Sequence, residues 1–164
     1  MLLQQNKSNE FGSNLHQTTC PLSAELRDIT SLLGALTDIQ VSTLLGSAKQ
    51  RRYTAGERIF NQGDLPKGLY IVVTGRIDLV VRKNGIYSLE ASYQAGDSLG
   101  ETALIGIQPQ VGSAIVVGDE VELLEISRDA FSELYETDLE LYGLLMMNIA
   151  RELSRKFHGV MKST

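Results

Sequence analysis

The chain has 164 residues, 43% of them hydrophobic, and a formal net charge of −5. That length suits one domain with a real core, and the acidic balance argues against sequence-independent nucleic-acid binding, which relies on cationic residues. Cys20 is the single cysteine, so no internal disulfide forms, and no apolar run reaches the roughly 18 residues of a membrane span.

Residues 1–20 are rich in Gln, Asn, Ser and Thr and read as a mobile tail. Met1-Leu2-Leu3 leads straight into Gln4-Gln5-Asn6, without a signal-peptide core, so a cytoplasmic location is expected. A single domain is expected over 21–164, with N-terminal helices in 21–50. Pro21 ends the tail, and Ser23 is placed to cap a short helix running through Leu33. Thr37 with Gln40 fits a capping box ahead of Ile39, Val41, Leu44 and Leu45 on one helical face. That helix should end between Gly46 and Lys49.

The texture changes over 51–127. Short β-branched runs alternate with glycines: Arg58–Phe60, Leu69–Val73, Ile77–Val81, Tyr87–Tyr93, Ala114–Val117 and Val121–Ile126. Such spacing predicts a compact antiparallel barrel or sandwich. Asn84-Gly85 lies between two runs and is a type I′ hairpin signal, because both residues tolerate positive φ. Over 128–158 the period becomes helical. Ser127 is placed to cap a helix through Leu134-Tyr135. A second helix should run from about Asp138 to Phe157, with Leu141, Leu145, Ile149 and Leu153 along one side and Leu144 and Met147 beside it. That stripe suits either packing on the chain's own sheet or a homodimer through 138–157.

Tight turns between short strands need positive φ or room for a neighbouring backbone, and glycine supplies both. Here the glycines carry a specific context: Tyr53-Thr54-Ala55-Gly56-Glu57 through Gly63-Asp64, then Gly68-Leu69-Tyr70-Ile71-Val72-Val73-Thr74-Gly75-Arg76-Ile77, then Gly96-Asp97-Ser98-Leu99-Gly100-Glu101-Thr102-Ala103-Leu104 and Ser113-Ala114. Over roughly residues 30–157 this framework resembles the cyclic-nucleotide-binding domain family, which includes the catabolite activator protein and the protein kinase A regulatory subunits. The resemblance implies a mainly β fold with helices: an eight-stranded antiparallel β-roll, jelly-roll-like, flanked by N-terminal helices and two C-terminal helices. It also implies a ligand, cyclic AMP or cyclic GMP, inside the roll, and a last helix that closes over it or responds to it.

A cyclic nucleotide brings one negative charge and a ribose 2′-hydroxyl. Orphan backbone N–H groups at the start of a short helix suit the anion, and Gly100 permits close backbone approach. The resemblance implies that Glu101 accepts a hydrogen bond from the ribose hydroxyl and that the amides of Thr102 and Ala103 face the phosphate. The family then places an arginine about ten residues on, followed by a small residue. This chain has Pro109-Gln110-Val111-Gly112-Ser113-Ala114, and no lysine or arginine stands between Glu101 and Arg128. The arginine position is Gln110, Val111 or Gly112. Gln110 offers one neutral amide to a phosphate, and Ser113 keeps the small hydroxyl role. Losing a guanidinium–phosphate pair costs about 3–5 kcal/mol, or two to four decades of affinity. Arg151, Arg155 or Lys156 in the last helix would have to fold over to replace it, against the plainer reading of a solvated basic face. Phe157 suits a base-stacking or pocket-plugging role, or a core or interface place.

Only Gly159–Thr164 follow the last helix, so no DNA-reading helix-turn-helix is expected and the output should pass to another protein. His16 and His158 lie far apart, and the roll holds neither His nor Cys, so no metal or haem is expected. No nucleophile elbow, P-loop or paired carboxylates appear, and no enzyme is expected. Two readings stand: a cyclic-nucleotide sensor with a weakened phosphate site, and a ligand-free interaction scaffold on the same fold.

Overall fold

The computed structural model describes residues 21–162; the expected tail over 1–20, with His16 and Cys20, lies outside them. In chain order come α1 (Pro21–Ile29), a 3-10 turn (Ser31–Leu33), α2 (Asp38–Ser47), β1 (Lys49–Thr54), β2 (Arg58–Phe60), β3 (Gly68–Lys83), β4 (Ile86–Gln94), β5 (Ser98–Leu99), α3 (Glu101–Gly106), β6 (Ser113–Ser127), α4 (Arg128–Thr137) and α5 (Leu139–Lys162).

Three of the local signals at the helix ends are met by hydrogen bonds, whereas Ser23, expected to cap the first helix, lies inside it because α1 already begins at Pro21. Thr37 and Gln40 form a reciprocal capping box at α2. The Ser127 hydroxyl accepts from the Ala130 amide at 3.2 Å and opens α4, and Asp138 accepts from Leu141 at 3.0 Å at the head of α5. The first helix is shorter than expected. It stops at Ile29 because Thr30 turns extended (φ −120°, ψ 129°) and its hydroxyl caps the separate 3-10 turn. Ile39 also departs from expectation: it is 71% exposed, and Val41 and Leu44 carry the buried face of α2. At the far end α5 continues to Lys162, five residues beyond Phe157.

The sheet is antiparallel and open, ordered β1-β6-β3-β4, with β2 on β6 and β5 on β3. It holds six strands rather than eight. The runs Leu69–Val73 and Ile77–Val81 are one bent strand, β3, and Ala114–Val117 and Val121–Ile126 are another, β6. Register shifts between β3 and β6 flank Thr74, and β6 changes partner from β2 to β1 around Gly118. A bulge of this kind bends the ladder without ending it, and counting the halves separately recovers the expected eight. Gly75 is required at the bend: its φ is +86°, and a Cβ there would lie 2.3 Å from the Glu120 carbonyl oxygen. At the other end of β3, Asn84 (φ 53°) and Gly85 (φ 82°) make the tight hairpin to β4.

Two cores share these long strands, because successive side chains of a strand face opposite ways. Leu69 and Ile71 of β3, with Leu124 and Ile126 of β6, pack against the helices, where Leu141, Leu145 and Ile149 of α5 are fully buried. Tyr70 and Val72, with Val121 and Leu123, face the roll interior beside Phe60, Ile77 and Leu99. Leu141, Leu145 and Ile149 of the α5 stripe are therefore buried within the chain, with Leu153 partly buried against the same core. Buried Asn148 fastens the same helix: its amide donates to the carbonyls of Leu32 (2.9 Å) and Gly34 (2.6 Å). No helix among the described residues is long and apolar enough to cross a membrane.

The Gly75→Ala variant should lose about 1–3 kcal/mol of stability in urea denaturation, from a strained φ and a backbone clash. A second expectation concerns alkali. Burial, then the charge of Glu125, pushes the Tyr70 phenol up to about 12. An unfolded tyrosine ionises near pH 10, so this contribution is fully present below pH 10 and is lost as pH rises from 10 to 12. Denaturation midpoints across that window should fall, and less steeply for Tyr70→Phe.

Candidate functional site

β5 pairs two residues with β3, Tyr70 opposite Leu99 and Ile71 opposite Ser98, and delivers the chain to Gly100. The turn before it is pinned twice: the Asp97 carboxylate accepts from the Gln94 amide at 2.8 Å, and the Asp97 carbonyl accepts from Val72 at 2.9 Å. Gly100 then sits at φ +89°, where a Cβ would be 2.9 Å from the Gly68 carbonyl oxygen. Only glycine fits that left-handed, backbone-tight corner, and the corner turns α3 so that Glu101 points inward.

Glu101 is 3% exposed. Its Oε1 accepts a charge-assisted hydrogen bond from Lys156 Nζ of α5, while Oε2 has no partner among the described residues. Lys156 also donates to the Ser98 carbonyl at 2.6 Å, and its ammonium stands 5.2 Å from the centre of the Tyr93 ring. Burial, then the charges of Glu101 and Asp97, pushes the Tyr93 phenol up to about 12, so it stays a neutral hydrogen-bonding group. The Ser98 hydroxyl, 1% exposed, is a second buried oxygen without a partner among the described residues. Buried polar atoms are paired in the great majority of cases, so two orphans within four residues of one another mark this segment as chemically unfinished.

The expected site residues Gly100, Glu101, Thr102, Ala103 and Gln110 all line one cleft of about 80 Å³, with Tyr93, Val111 and Lys156. Ser113 does not line it; its hydroxyl accepts from the Gln62 amide at 3.0 Å. The loop from Gln108 to Gly112 is anchored through Gln110, whose backbone bonds Asp64 and Gly63 at 2.8 Å each. Of the three positions open to the arginine, Gln110 is buried in the cleft, Val111 is exposed, and Gly112 lies tight against β3, where a Cβ would stand 3.0 Å from the Val80 carbonyl oxygen. Lys156, Tyr93 and Thr102 also line a larger groove of about 930 Å³ between β4 and α5, together with Phe157. Phe157 is 64% exposed there and does not plug the roll.

The reading of the basic residues of α5 as one solvated face fails for Lys156. Arg151 bonds Asn148, and Arg155 bonds Glu152 and Ser31. Lys156 alone of the three turns into the cleft, where a buried carboxylate demands a cation. Tyr93 carried no sequence signal beyond its strand run, and Ser98 none beyond its place in the glycine framework. Both become part of the site only through the pairing of β5 with β3 and the packing of α5.

Residues 50–138 match the family model for the cyclic nucleotide-binding domain. The chain is 31% identical over 103 residues to the cAMP-dependent protein kinase regulatory subunit of Aspergillus niger, covering 63% of this chain and 24% of that protein. It is 25% identical over 138 residues to a probable potassium channel of Arabidopsis thaliana, covering 84% and 16%. The chain thus spans a quarter or less of the length of these curated relatives. Its fold superimposes on the catabolite activator protein of Thermus thermophilus with a TM-score of 0.71 and 28% identity, covering 82% of this chain and 61% of that one. Since that family model matches more than half of the chain, the chain belongs to the cyclic nucleotide-binding domain family.

Proposed function

We propose that the chain is a regulatory module that binds a cyclic nucleotide at Gly100–Ala103 and reports occupancy through the end of α5. The observation that carries this reading is the buried Glu101 carboxylate with one oxygen unpartnered and the other held by the terminal helix. An orphan carboxylate oxygen suits a ribose hydroxyl, a donor that would complete its hydrogen bonding. The amides of Glu101, Thr102 and Ala103 have no acceptor one turn back in α3 and suit the phosphate, with the Gln110 amide beside them.

The inner cleft, about 80 Å³, is smaller than the roughly 300 Å³ at which ligand pockets begin. The nucleotide therefore needs the outer groove as well. The two cavities share Tyr93, Thr102 and Lys156, so a base lying toward β4 and Phe157 and a ribose phosphate lying toward Glu101 would meet at Lys156. Entry requires the Lys156 side chain to swing, and that couples the site to α5. Asn148, Glu152 and Arg155 hold the earlier turns of α5 to Leu32, Gly34 and Ser31, so the moving part is the segment from Lys156 on, 156–162. Output then passes to another protein through this segment, in a cytoplasmic setting.

The small inner cleft also favours a second reading, in which the roll is a ligand-free scaffold with Lys156 closing it permanently. Calorimetric titration with cyclic AMP and cyclic GMP into the millimolar range separates the two. Saturable heat is expected for at least one; no heat and no thermal stabilisation by either would leave the scaffold. Glu101→Gln should weaken binding by about tenfold through the ribose contact. Hydrogen exchange on saturation should change over 156–162 while the amides around Asn148 hold steady; a uniform response along α5 would contradict the divided helix.

A further inference from the structure

We propose that Lys156 is the phosphate-binding cation of this site, supplied by the terminal helix in place of a cation in the loop after α3. The assignment rests on the reading of the cleft as a nucleotide site.

Charge accounting motivates it. The stretch from Glu101 to Arg128 holds no Lys or Arg between those two residues. Among the described residues lining the inner cleft, Glu101 is the one carboxylate and Lys156 the one cation. Without Lys156 the cleft would present a buried negative charge to an incoming anion, leaving the neutral amides alone to offset the repulsion. With it the cleft is neutral before the ligand arrives, and the ammonium stands where inner cleft and outer groove meet.

Geometry allows the exchange. An ammonium has three N–H donors. Two are engaged here, by Glu101 Oε1 and the Ser98 carbonyl, and the third remains for a phosphate oxygen. Tyr93 supports the cation from below with its ring face while its own hydroxyl stays neutral. A lysine suits this role better than an arginine would, because its flexible stem lets a point charge move between two acceptors. The neighbouring cations are committed elsewhere, Arg151 to Asn148 and Arg155 to Glu152 and Ser31. A purely structural Lys156, pinning α5 to β5, would make the same contacts in the empty site, so the test must read the phosphate itself.

The experiment compares cyclic AMP with adenosine, which keeps the base and ribose and lacks the phosphate. Calorimetry is run on the full chain and on Lys156→Met and Lys156→Arg, with circular dichroism and thermal midpoints to verify folding. The wild type should bind cyclic AMP more tightly than adenosine. Lys156→Met should lose about 10- to 100-fold in cyclic AMP affinity, hold its adenosine affinity within about threefold, and lose most of the salt dependence. Lys156→Arg should retain the preference for cyclic AMP. A Lys156→Met chain that keeps the cyclic AMP to adenosine ratio, or binds both ligands tighter, would overturn the assignment while leaving the nucleotide site standing. A wild type that binds neither ligand would overturn the nucleotide reading and the cation with it.

Discussion

A carboxylate taken out of water costs several kcal/mol unless a cation and hydrogen bonds answer it. Glu101 is such a group. Its position follows from the Gly100 corner, where positive φ and the approach of the Gly68 carbonyl leave no room for a side chain. Once the corner aims Glu101 inward, a cation must come to it, and the loop that follows offers none. Lys156 comes from 55 residues away in sequence, and its arrival ties the end of α5 to the β5–α3 corner. The charge of the cleft and the tie between the site and the last turns of α5 both follow from that one pairing.

The pairing is affordable because the rest of α5 is already held by other forces. Leu141, Leu145 and Ile149 are fully buried against the sheet and the N-terminal helices, and Asn148 satisfies the buried carbonyl of Leu32 in the 3-10 turn and that of Gly34 just after it. This divides the helix by mechanism. Its first half is fixed by apolar burial, which is insensitive to small ligands. Its last turns carry Phe157 and Met161 at the surface and are held at the sheet side by a charge contact, which an anion can compete for. A helix secured in two different ways can respond locally without unfolding.

The long bent strands serve the same end. β3 buries both faces between Gly68 and Val72, so one stretch of chain supplies the helix-facing core and the roll-facing core together. The glycine bends let each strand change partners without a break in the ladder. That is why short alternating runs in the sequence read as separate strands, while the folded chain merges them: a bulge at a glycine and a true turn look alike until the partner strand is known.

Local chemistry was legible in the amino-acid order. The capping box at Thr37 and Gln40, the Asn84-Gly85 hairpin, the Ser127 cap and the inward face of α5 each depend on residues within a few positions of one another, and each stands in the structure as expected. The glycine framework around Gly100 and Glu101 likewise announced the family, because φ is a property of the residue itself. Tertiary structure alone decided what those residues face. That Lys156 enters the cleft while Arg155 stays outside, that Ser113 bonds the Gln62 amide, and that Tyr93 lies beneath an ammonium are long-range events. Side chains one residue apart on a helix point about 100° apart, so composition could announce a basic helix end and could not choose its member. The choice fell to the angle at which α5 packs, and that angle is set by cores on the far side of the sheet.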